Sequence, residues 1–133
     1  MNYFLDTNIC IYFLSGKYPG LFKKLFSRNP NDIKIPVIVK AELLYGAEKS
    51  IKREDNISKI TAFLLPFEII PFDDASAAFY GKIRAKLETT GMMIGPNDLI
   101  IAATALSKNA VLVTNNTNEF IRVEGLNLED WTV

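Results

Sequence analysis

The sequence predicts an α/β fold: an α/β/α sandwich in which helices cover both faces of a mainly parallel central sheet. Short apolar runs alternate with longer segments of helical periodicity, which is the pattern of consecutive β-α units. Apolar residues make up 49% of the chain, with nine Phe, five Tyr and one Trp, so a filled core can form. With 133 residues and no repeat or linker, we expect a single domain over residues 1–133.

The first part of the chain predicts one strand and two helices. Residues 2–5 are a short apolar run that stops at Asp6, which is typical of a buried strand. Residues 9–14 are apolar and are followed by Ser15-Gly16, which stops a helix. Residues 21–27 place leucine and phenylalanine at helical spacing, with two lysines on the opposite side.

The middle of the chain predicts a strand followed by two helices. Residues 33–35 alternate as a strand does, and Pro36 ends the strand because proline has no backbone N–H. Residues 37–51 have helical periodicity, and residues 56–65 form a second helix that stops before Pro66.

The last part predicts two strands and two helices. A short strand over 68–70 precedes a helix over 75–90, for which Asp73 or Asp74 is a good N-cap. The helix over 97–108 is apolar on nearly every side and must be central, and residues 110–114 form a buried strand. Residues 115–118 are predicted as a turn.

Polar side chains follow two of the predicted strands. Asp6 comes directly after the first strand, while Asn115, Asn116 and Glu119 follow the strand over 110–114. Parallel sheets bind their ligands outside the carboxyl ends of the strands. These positions are therefore candidate site residues.

The composition restricts the possible chemistry. There is no histidine, which excludes Ser-His-Asp, Cys-His and two-histidine catalysis. The lone Cys10 excludes an intrachain disulfide and a zinc site of the usual Cys and His ligands; we expect it to be buried, in a protein of the reducing cytoplasm. No apolar run approaches the ~20 residues of a membrane span. Catalysis must come from carboxylates, amides, hydroxyls, basic side chains or an oxygen-bound metal.

Charge gives no global attraction for nucleic acid, because fifteen basic residues balance fifteen acidic ones. A nucleic-acid partner therefore needs a local basic patch. Two groups of basic residues are typical of a solvated face and are also candidates for phosphate contacts. They are Lys49, Lys52 and Arg53, and Lys82, Arg84 and Lys86.

Glu42 is unusual for its helix. Its neighbours at three and four residues, Ile38, Val39, Tyr45 and Gly46, are apolar or small and predict a stripe that faces the core. A carboxylate there costs several kcal/mol unless it is paired, protonated or bound to a cation. The alternative explanation is a salt bridge to a nearby Lys or Arg.

Asp6 and Asp98 each have a simpler explanation when taken alone. Asp6 is a good N-cap for the helix that follows, and Asp98 lies in a helical first turn, where the dipole favours it and Asn97 is a good cap. Asn8 fits either capping or a hydrogen bond to a metal-bound carboxylate. Together, however, Asp6, Glu42 and Asp98 would repel one another, and divalent cations would relieve that repulsion. An all-oxygen site suits Mg²⁺ or Mn²⁺.

Four motifs in this order resemble the PIN-domain ribonucleases, and within them the VapC toxins of bacterial toxin–antitoxin pairs. The segments that carry the likeness are residues 5–9 (LDTNI), 41–46 (AELLYG), 94–103 (IGPNDLIIAA) and 112–120 (LVTNNTNEF), and the ending over residues 123–131 is also similar. The likeness extends over the whole chain.

This resemblance implies an α/β/α domain with Mg²⁺- or Mn²⁺-dependent endonuclease activity on RNA, often tRNA, in which metal-activated water attacks a backbone phosphate. It also implies a homodimer, a cognate antitoxin that inserts a peptide into the active-site groove, and contact with operator DNA only through that antitoxin. Carried over by position, Asp6, Glu42 and Asp98 are the expected metal ligands, and Asn8 is a supporting polar residue.

The sequence departs from the family pattern at two positions. Asn116 stands where many PIN domains have Asp, so its amide oxygen replaces a charged ligand; Glu119 is the candidate fourth catalytic carboxylate. Val39 stands where relatives often have Thr, which removes a hydroxyl near Glu42.

Two other functions are compatible with the residues. A catalytically weak PIN domain could act as a binding module for antitoxin and operator, which the missing charge at Asn116 favours. A phosphatase could use Asp6 as nucleophile, although such enzymes require a second acid two residues later, where this chain has Asn8.

Overall fold

A five-stranded sheet organises the chain in the computed structural model, which describes all residues 1–133. The strand order is β3-β2-β1-β4-β5, and every neighbouring pair is parallel. The predicted α/β fold class is confirmed. The strands are β1 (Tyr3–Leu5), β2 (Ile33–Pro36), β3 (Glu68–Ile70), β4 (Val111–Val113) and β5 (Asn127–Glu129).

Seven helices flank this sheet in an α/β/α arrangement. The six predicted helices are present, with ends that differ from the prediction by a few residues. None of the helices combines the length and the apolar character that crossing a bilayer requires. The helices are α1 (Thr7–Ser15), α2 (Pro19–Phe26), α3 (Val37–Glu48), α4 (Arg53–Leu64), α5 (Asp74–Thr90), α6 (Pro96–Ser107) and α7 (Thr117–Phe120), with a 3-10 turn at Pro30–Asp32.

Two elements near the end of the chain were not predicted. Helix α7 begins within the segment over 115–118 that was predicted as a turn, and it is a single helical turn, too short to show periodicity. Strand β5 has the sequence Asn-Leu-Glu and lies at the edge of the sheet, beside β4 only. A short edge strand with polar residues gives almost no apolar signal, so tertiary pairing rather than local sequence determines it.

The strand order creates a crevice between β1 and β4. From β1 the chain proceeds outward through β2 and β3, and then returns to place β4 on the other side of β1. Connections on opposite sides of the sheet separate at this point, which is where open parallel sheets bind ligands. Asp6 leaves β1 here, and its N–H still bonds to the carbonyl of Val113 at 2.9 Å.

The crevice is supported by a rigid apolar core. Phe4, Leu5, Leu112 and Val113 of the two central strands are at most 1% exposed. Cys10 is fully buried, as predicted, and burial raises the pKa of its thiol, so it packs as a neutral apolar group. Helix α6 is central, as its apolar sequence predicted, with residues 101–103 inaccessible to solvent.

Two glycines of α5 allow a test of how this helix is built. Gly91 ends the helix at φ +69°, whereas Gly81 lies within the helix, and a Cβ added there would meet no heavy atom within 4 Å. We expect Gly91→Ala to lower the free energy of unfolding by about 1 kcal/mol because alanine is strained there. Gly81→Ala should raise it by about 0.5–1 kcal/mol. Urea unfolding measures both; shifts in the same direction would contradict this account of α5.

Candidate active site

Asp6 is the most buried acid of the chain, at 4% exposure. One carboxylate oxygen, Oδ1, accepts the N–H of Thr7 at 2.8 Å, so Asp6 does cap α1, as one of the alternatives from sequence proposed. The other oxygen, Oδ2, accepts the hydroxyl of Thr114 at 2.8 Å. Asp6 is therefore held between the ends of β1 and β4 by neutral donors alone.

Glu42 is half-buried on α3 and is also held by neutral donors. Its Oε1 accepts the hydroxyl of Thr7 at 2.6 Å, and its Oε2 accepts the side-chain amide of Asn97 at 3.1 Å. No Lys or Arg forms a salt bridge with it. The alternative of a structural ion pair at Glu42 is therefore wrong.

The stripe predicted around Glu42 needs a correction. The buried residues of α3 are Val39, Leu43 and Ala47, whereas Tyr45 is 66% exposed. The buried stripe is thus displaced by one residue, and Glu42 lies at its margin. This position leaves the carboxylate facing the end of the sheet instead of the apolar core.

Asp98 lies in the first turn of α6 and is half-buried. The predicted cap was wrong: Gly95 is the N-cap and makes no side-chain hydrogen bond, while Asn97 lies inside the first turn. The helix starts earlier than predicted because Pro96 occupies its first position, where the missing N–H has no cost. The Asn97 amide is thereby free to reach Glu42.

Glu119 and Asn116 form a pair at the end of β4. The Asn116 side-chain amide donates to Oε2 of Glu119 at 2.5 Å, and its backbone N–H donates to the Thr114 hydroxyl at 3.0 Å. Asn116 therefore orients the carboxylate of Glu119. Asn8 is exposed in the first turn of α1 and bonds to none of the acids, so its supporting role rests on the resemblance alone.

The four acids interact electrostatically. Burial is the main cause that raises the pKa of Asp98, to about 7, and the charges of Asp6, Glu119 and Glu42 and a hydrogen bond with Glu119 raise it further. Burial also raises the pKa of Asp6, against the hydrogen bonds from Thr114 and Thr7 that lower it. Glu42 and Glu119 add to the rise at Asp6. The structure thus brings Asp6, Glu42, Asp98 and Glu119 within mutual influence.

No basic side chain neutralises this acid cluster, by which we mean Asp6, Glu42, Asp98 and Glu119. All the ion pairs of the chain lie elsewhere: Arg28–Glu129, Lys34–Glu68, Arg53–Glu48, Arg84–Glu88, Lys86–Glu124 and Lys108–Asp73. A cluster of carboxylates without a cationic partner is unfavourable unless protons or metal ions bind to it.

The donor set fits a hard divalent ion, since it contains only carboxylate, hydroxyl and amide oxygens. No three of the carboxylates already converge on a position where all could bind one ion. Two of the carboxylates are held by neutral donors: Thr7 and Asn97 donate to Glu42, and Asn116 donates to Glu119. The chemistry of the site fits the ion, and binding would exchange some of these neutral contacts for metal contacts.

Three polar residues that contact the acids were missed by the sequence analysis. Thr7 and Asn97 donate to Glu42, and Thr114 donates to Asp6. Thr114 carried a usable signal, because it is the only polar residue in the run over 110–114 and follows a strand buried on both faces. Asn97 carried none, since its partner is 55 positions away.

Comparison with known proteins shows similarity along the whole chain. A family model described as the PIN domain matches residues 3–126. Ribonuclease VapC2 of Rickettsia felis is 48% identical over 134 residues, covering 98% of both chains. The tRNA(fMet)-specific endonuclease VapC of Shigella flexneri is 41% identical over 132 residues, covering 99% of both. The crystal structure of VapBC2 from Rickettsia felis bound to a DNA fragment from their promoter matches with a TM-score of 0.91 at 45% identity, covering 98% of this chain and 99% of that one.

Repulsion within the acid cluster predicts how stability depends on pH when metal is chelated. The pKa of Asp98 in the folded protein, about 7, lies above the ordinary value of 3.8, so the folded state holds a proton that the unfolded state loses. Stability is therefore lost as the pH rises from about 4 to 7. At pH 8 in EDTA, Asp98→Asn should raise the free energy of unfolding by about 1–2 kcal/mol, a value reduced for solvent screening of this half-buried group.

Asp74→Asn is the matched control, because Asp74 also lies in a helical first turn but is exposed and outside the acid cluster. We expect no gain in stability from it, since it only loses a favourable interaction with the helix dipole. Urea unfolding of the variants at pH 4 and pH 8 gives the comparison. An Asp98→Asn protein less stable than wild type at pH 8 would contradict repulsion within the cluster.

Proposed function

We propose, from the premise that this chain belongs to the PIN-domain family, that it is a divalent-metal-dependent endoribonuclease of the VapC toxin type. One observation carries the proposal: Asp6, Glu42, Asp98 and Glu119 share the end of the sheet with no Lys or Arg paired to them. The match to the PIN-domain model over residues 3–126 and to VapC ribonucleases along the chain supports it.

Asp6, Glu42 and Asp98 are the residues we assign to holding Mg²⁺ or Mn²⁺. Their oxygen-only chemistry and their excess negative charge support this assignment. When bound, such an ion stabilises charge that develops on a phosphodiester and lowers the pKa of water. No histidine is needed for this chemistry, which agrees with a chain that has none.

The chain's own residues hold the carboxylates of the site in position. Asp6 is fixed by Thr7 and Thr114 at the end of the central strands, so it gives the site a rigid reference point. Thr7 and Asn97 orient Glu42 across helices α1, α3 and α6. We assign to Glu119 the acceptance of a proton from the attacking water.

Asn116 is compatible with catalysis in this proposal. The binding-module alternative was favoured by the absence of a charge at this position. The Asn116 amide, however, donates to Glu119, and the Glu119 charge in turn raises the pKa of Asp98. A fourth carboxylate is therefore present in the cluster, and it comes from position 119 in place of position 116.

The RNA substrate we propose is tRNA, because the Shigella flexneri relative is named a tRNA(fMet)-specific endonuclease.

A cognate antitoxin is the proposed protein partner, and a groove of about 340 Å³ beside Glu42 of the acid cluster supports this proposal. Ile11, Leu14, Leu43 and Ile60 give this groove an apolar lining, and Glu42 forms part of its wall. An inserted antitoxin segment would thus cover a metal ligand. The homodimer and the contact with operator DNA through the antitoxin remain predictions from the resemblance.

Cleavage of tRNA tests the proposed activity. Purified tRNA(fMet) should be cut with Mg²⁺ or Mn²⁺ and stay intact in EDTA. Glu42→Gln and Asp98→Asn should each slow cleavage at least about 100-fold, since each removes a charged metal ligand. Gel analysis of the RNA over time gives the rates.

Glu48→Gln is the control on the same helix, because Glu48 is exposed and pairs with Arg53 away from the acid cluster. It should cleave at the wild-type rate. If tRNA(fMet) and a total tRNA pool both stay intact with every metal, while the protein still binds its antitoxin, the chain is a binding module and the nuclease proposal is wrong.

A further inference from the structure

A second groove, separate from the one beside Glu42, lies between α5 and the segment that follows α7. Its volume is about 350 Å³. Its inner surface is apolar and consists of Phe79, Ile83, Leu87, Leu106 and Val123. We call it the basic groove because of the side chains at its rim.

Three of the four charged residues that line the basic groove are basic. Lys82 and Lys86 lie on successive turns of α5, about 6 Å apart along the helix axis. Arg122 faces them from the segment after α7, and Glu124 is the single acid. In a chain with no net charge, this groove therefore has a local excess of positive charge.

These cations are available to a ligand. Glu124 pairs with Lys86, but both side chains are more than 60% exposed, and such a pair contributes about 0–1 kcal/mol. Lys82 makes only a distant contact with the ring of Phe79, at 5.8 Å. The other group of basic residues is more engaged: Arg53 forms two hydrogen bonds with Glu48.

The basic groove is connected to the acid cluster through Arg122. The backbone N–H of Arg122 bonds to the carbonyl of Glu119 at 3.0 Å, so the two residues are one helical turn apart. Its guanidinium also donates to the carbonyl of Met93 at 2.9 Å. Gly95, two residues after Met93, lies close to Asp98: a Cβ added to Gly95 would be 3.6 Å from Oδ2 of Asp98. One side chain thus links the groove with the segments that carry two of the acids.

We propose that the basic groove binds the backbone of the RNA substrate next to the position of cleavage. This inference rests on the proposed ribonuclease function. Phosphates would contact Lys82, Lys86 and Arg122, and an unstacked base would cover the apolar inner surface, which are the two contacts that single-stranded RNA makes with proteins. A second copy of this chain is a poorer occupant, because a two-fold contact would place the same excess of cations opposite these three.

Binding in EDTA separates this role from catalysis. The variant Lys82→Gln/Lys86→Gln/Arg122→Gln is compared with Lys49→Gln/Lys52→Gln/Arg53→Gln, which also removes two lysines and one arginine, one of them paired with a glutamate. Fluorescence anisotropy with labelled tRNA(fMet) transcript, measured over a range of KCl concentrations, gives the affinity and its salt dependence.

The groove variant should bind tRNA at least about tenfold more weakly at 0.1 M KCl, and the slope of log K against log salt should fall by roughly 2 to 3. With Mg²⁺, KM should rise while kcat at saturating tRNA stays within about twofold of wild type. The Lys82→Gln/Lys86→Gln variant, which keeps the Arg122 contact with Met93, should show an intermediate loss.

The outcomes distinguish the two proposals. If wild type cleaves tRNA and the groove variant binds it as tightly as wild type, or if both triple variants lose affinity equally, the groove inference is wrong and the nuclease proposal stands. A groove variant that changes the oligomeric state in light scattering would instead identify the groove as a contact between copies. If wild type neither binds nor cleaves tRNA, the proposed function itself fails.

Discussion

The burial of Asp6 is the constraint on which the rest of the site depends. A carboxylate 4% exposed at the junction of β1 and β4 cannot move toward solvent, because its own N–H continues the ladder to Val113. Only neutral groups reach it, namely the Thr114 hydroxyl and the Thr7 N–H. These donors stabilise the charge only in part, since burial still raises the pKa of Asp6 above its ordinary value. The fold therefore keeps a buried carboxylate without a cationic partner in its crevice, at a cost that the apolar core around β1 and β4 must offset.

Much of this arrangement could be predicted from local sequence, and the failures have specific causes. Asp6 was found because a parallel strand must end where its apolar run ends, and Asp98 because a helix apolar on all sides must be central. For Glu42 the predicted buried stripe was wrong, since Tyr45 is 66% exposed. Sequence spacing shows which residues share a face of a helix, but it does not show which face lies against the core. In α3 the tertiary packing of Val39 and Leu43 determines the buried face.

Hydrogen bonds between distant segments could not be predicted from the sequence. The Asn97 amide meets Glu42 because α6 begins at Pro96, two residues before the start that a cap at Asn97 would give. At Asn116, loss of a charge was the feature visible in sequence, and it favoured a weakened site. In the structure the same amide orients Glu119, which restores a carboxylate to the cluster. A single helical turn, α7, thus brings Asn116 and a carboxylate three positions later to one place, and the sequence pattern gave no sign of that turn.

A nuclease with an acidic active site must bind a polyanion next to its own negative charge. In the proposed function a bound metal ion would offset that repulsion at the scissile phosphate only, and the neutral net charge of this chain provides no long-range attraction. Attraction must therefore come from cations close enough to act on neighbouring phosphates, and far enough from the carboxylates not to neutralise them. Arg122 meets both requirements: it follows Glu119 by one turn yet forms no ion pair with any acid. In our proposal, the separation of these cations from the acid cluster leaves the carboxylates available to a divalent ion, and their proximity to the cluster would hold an anionic substrate beside it.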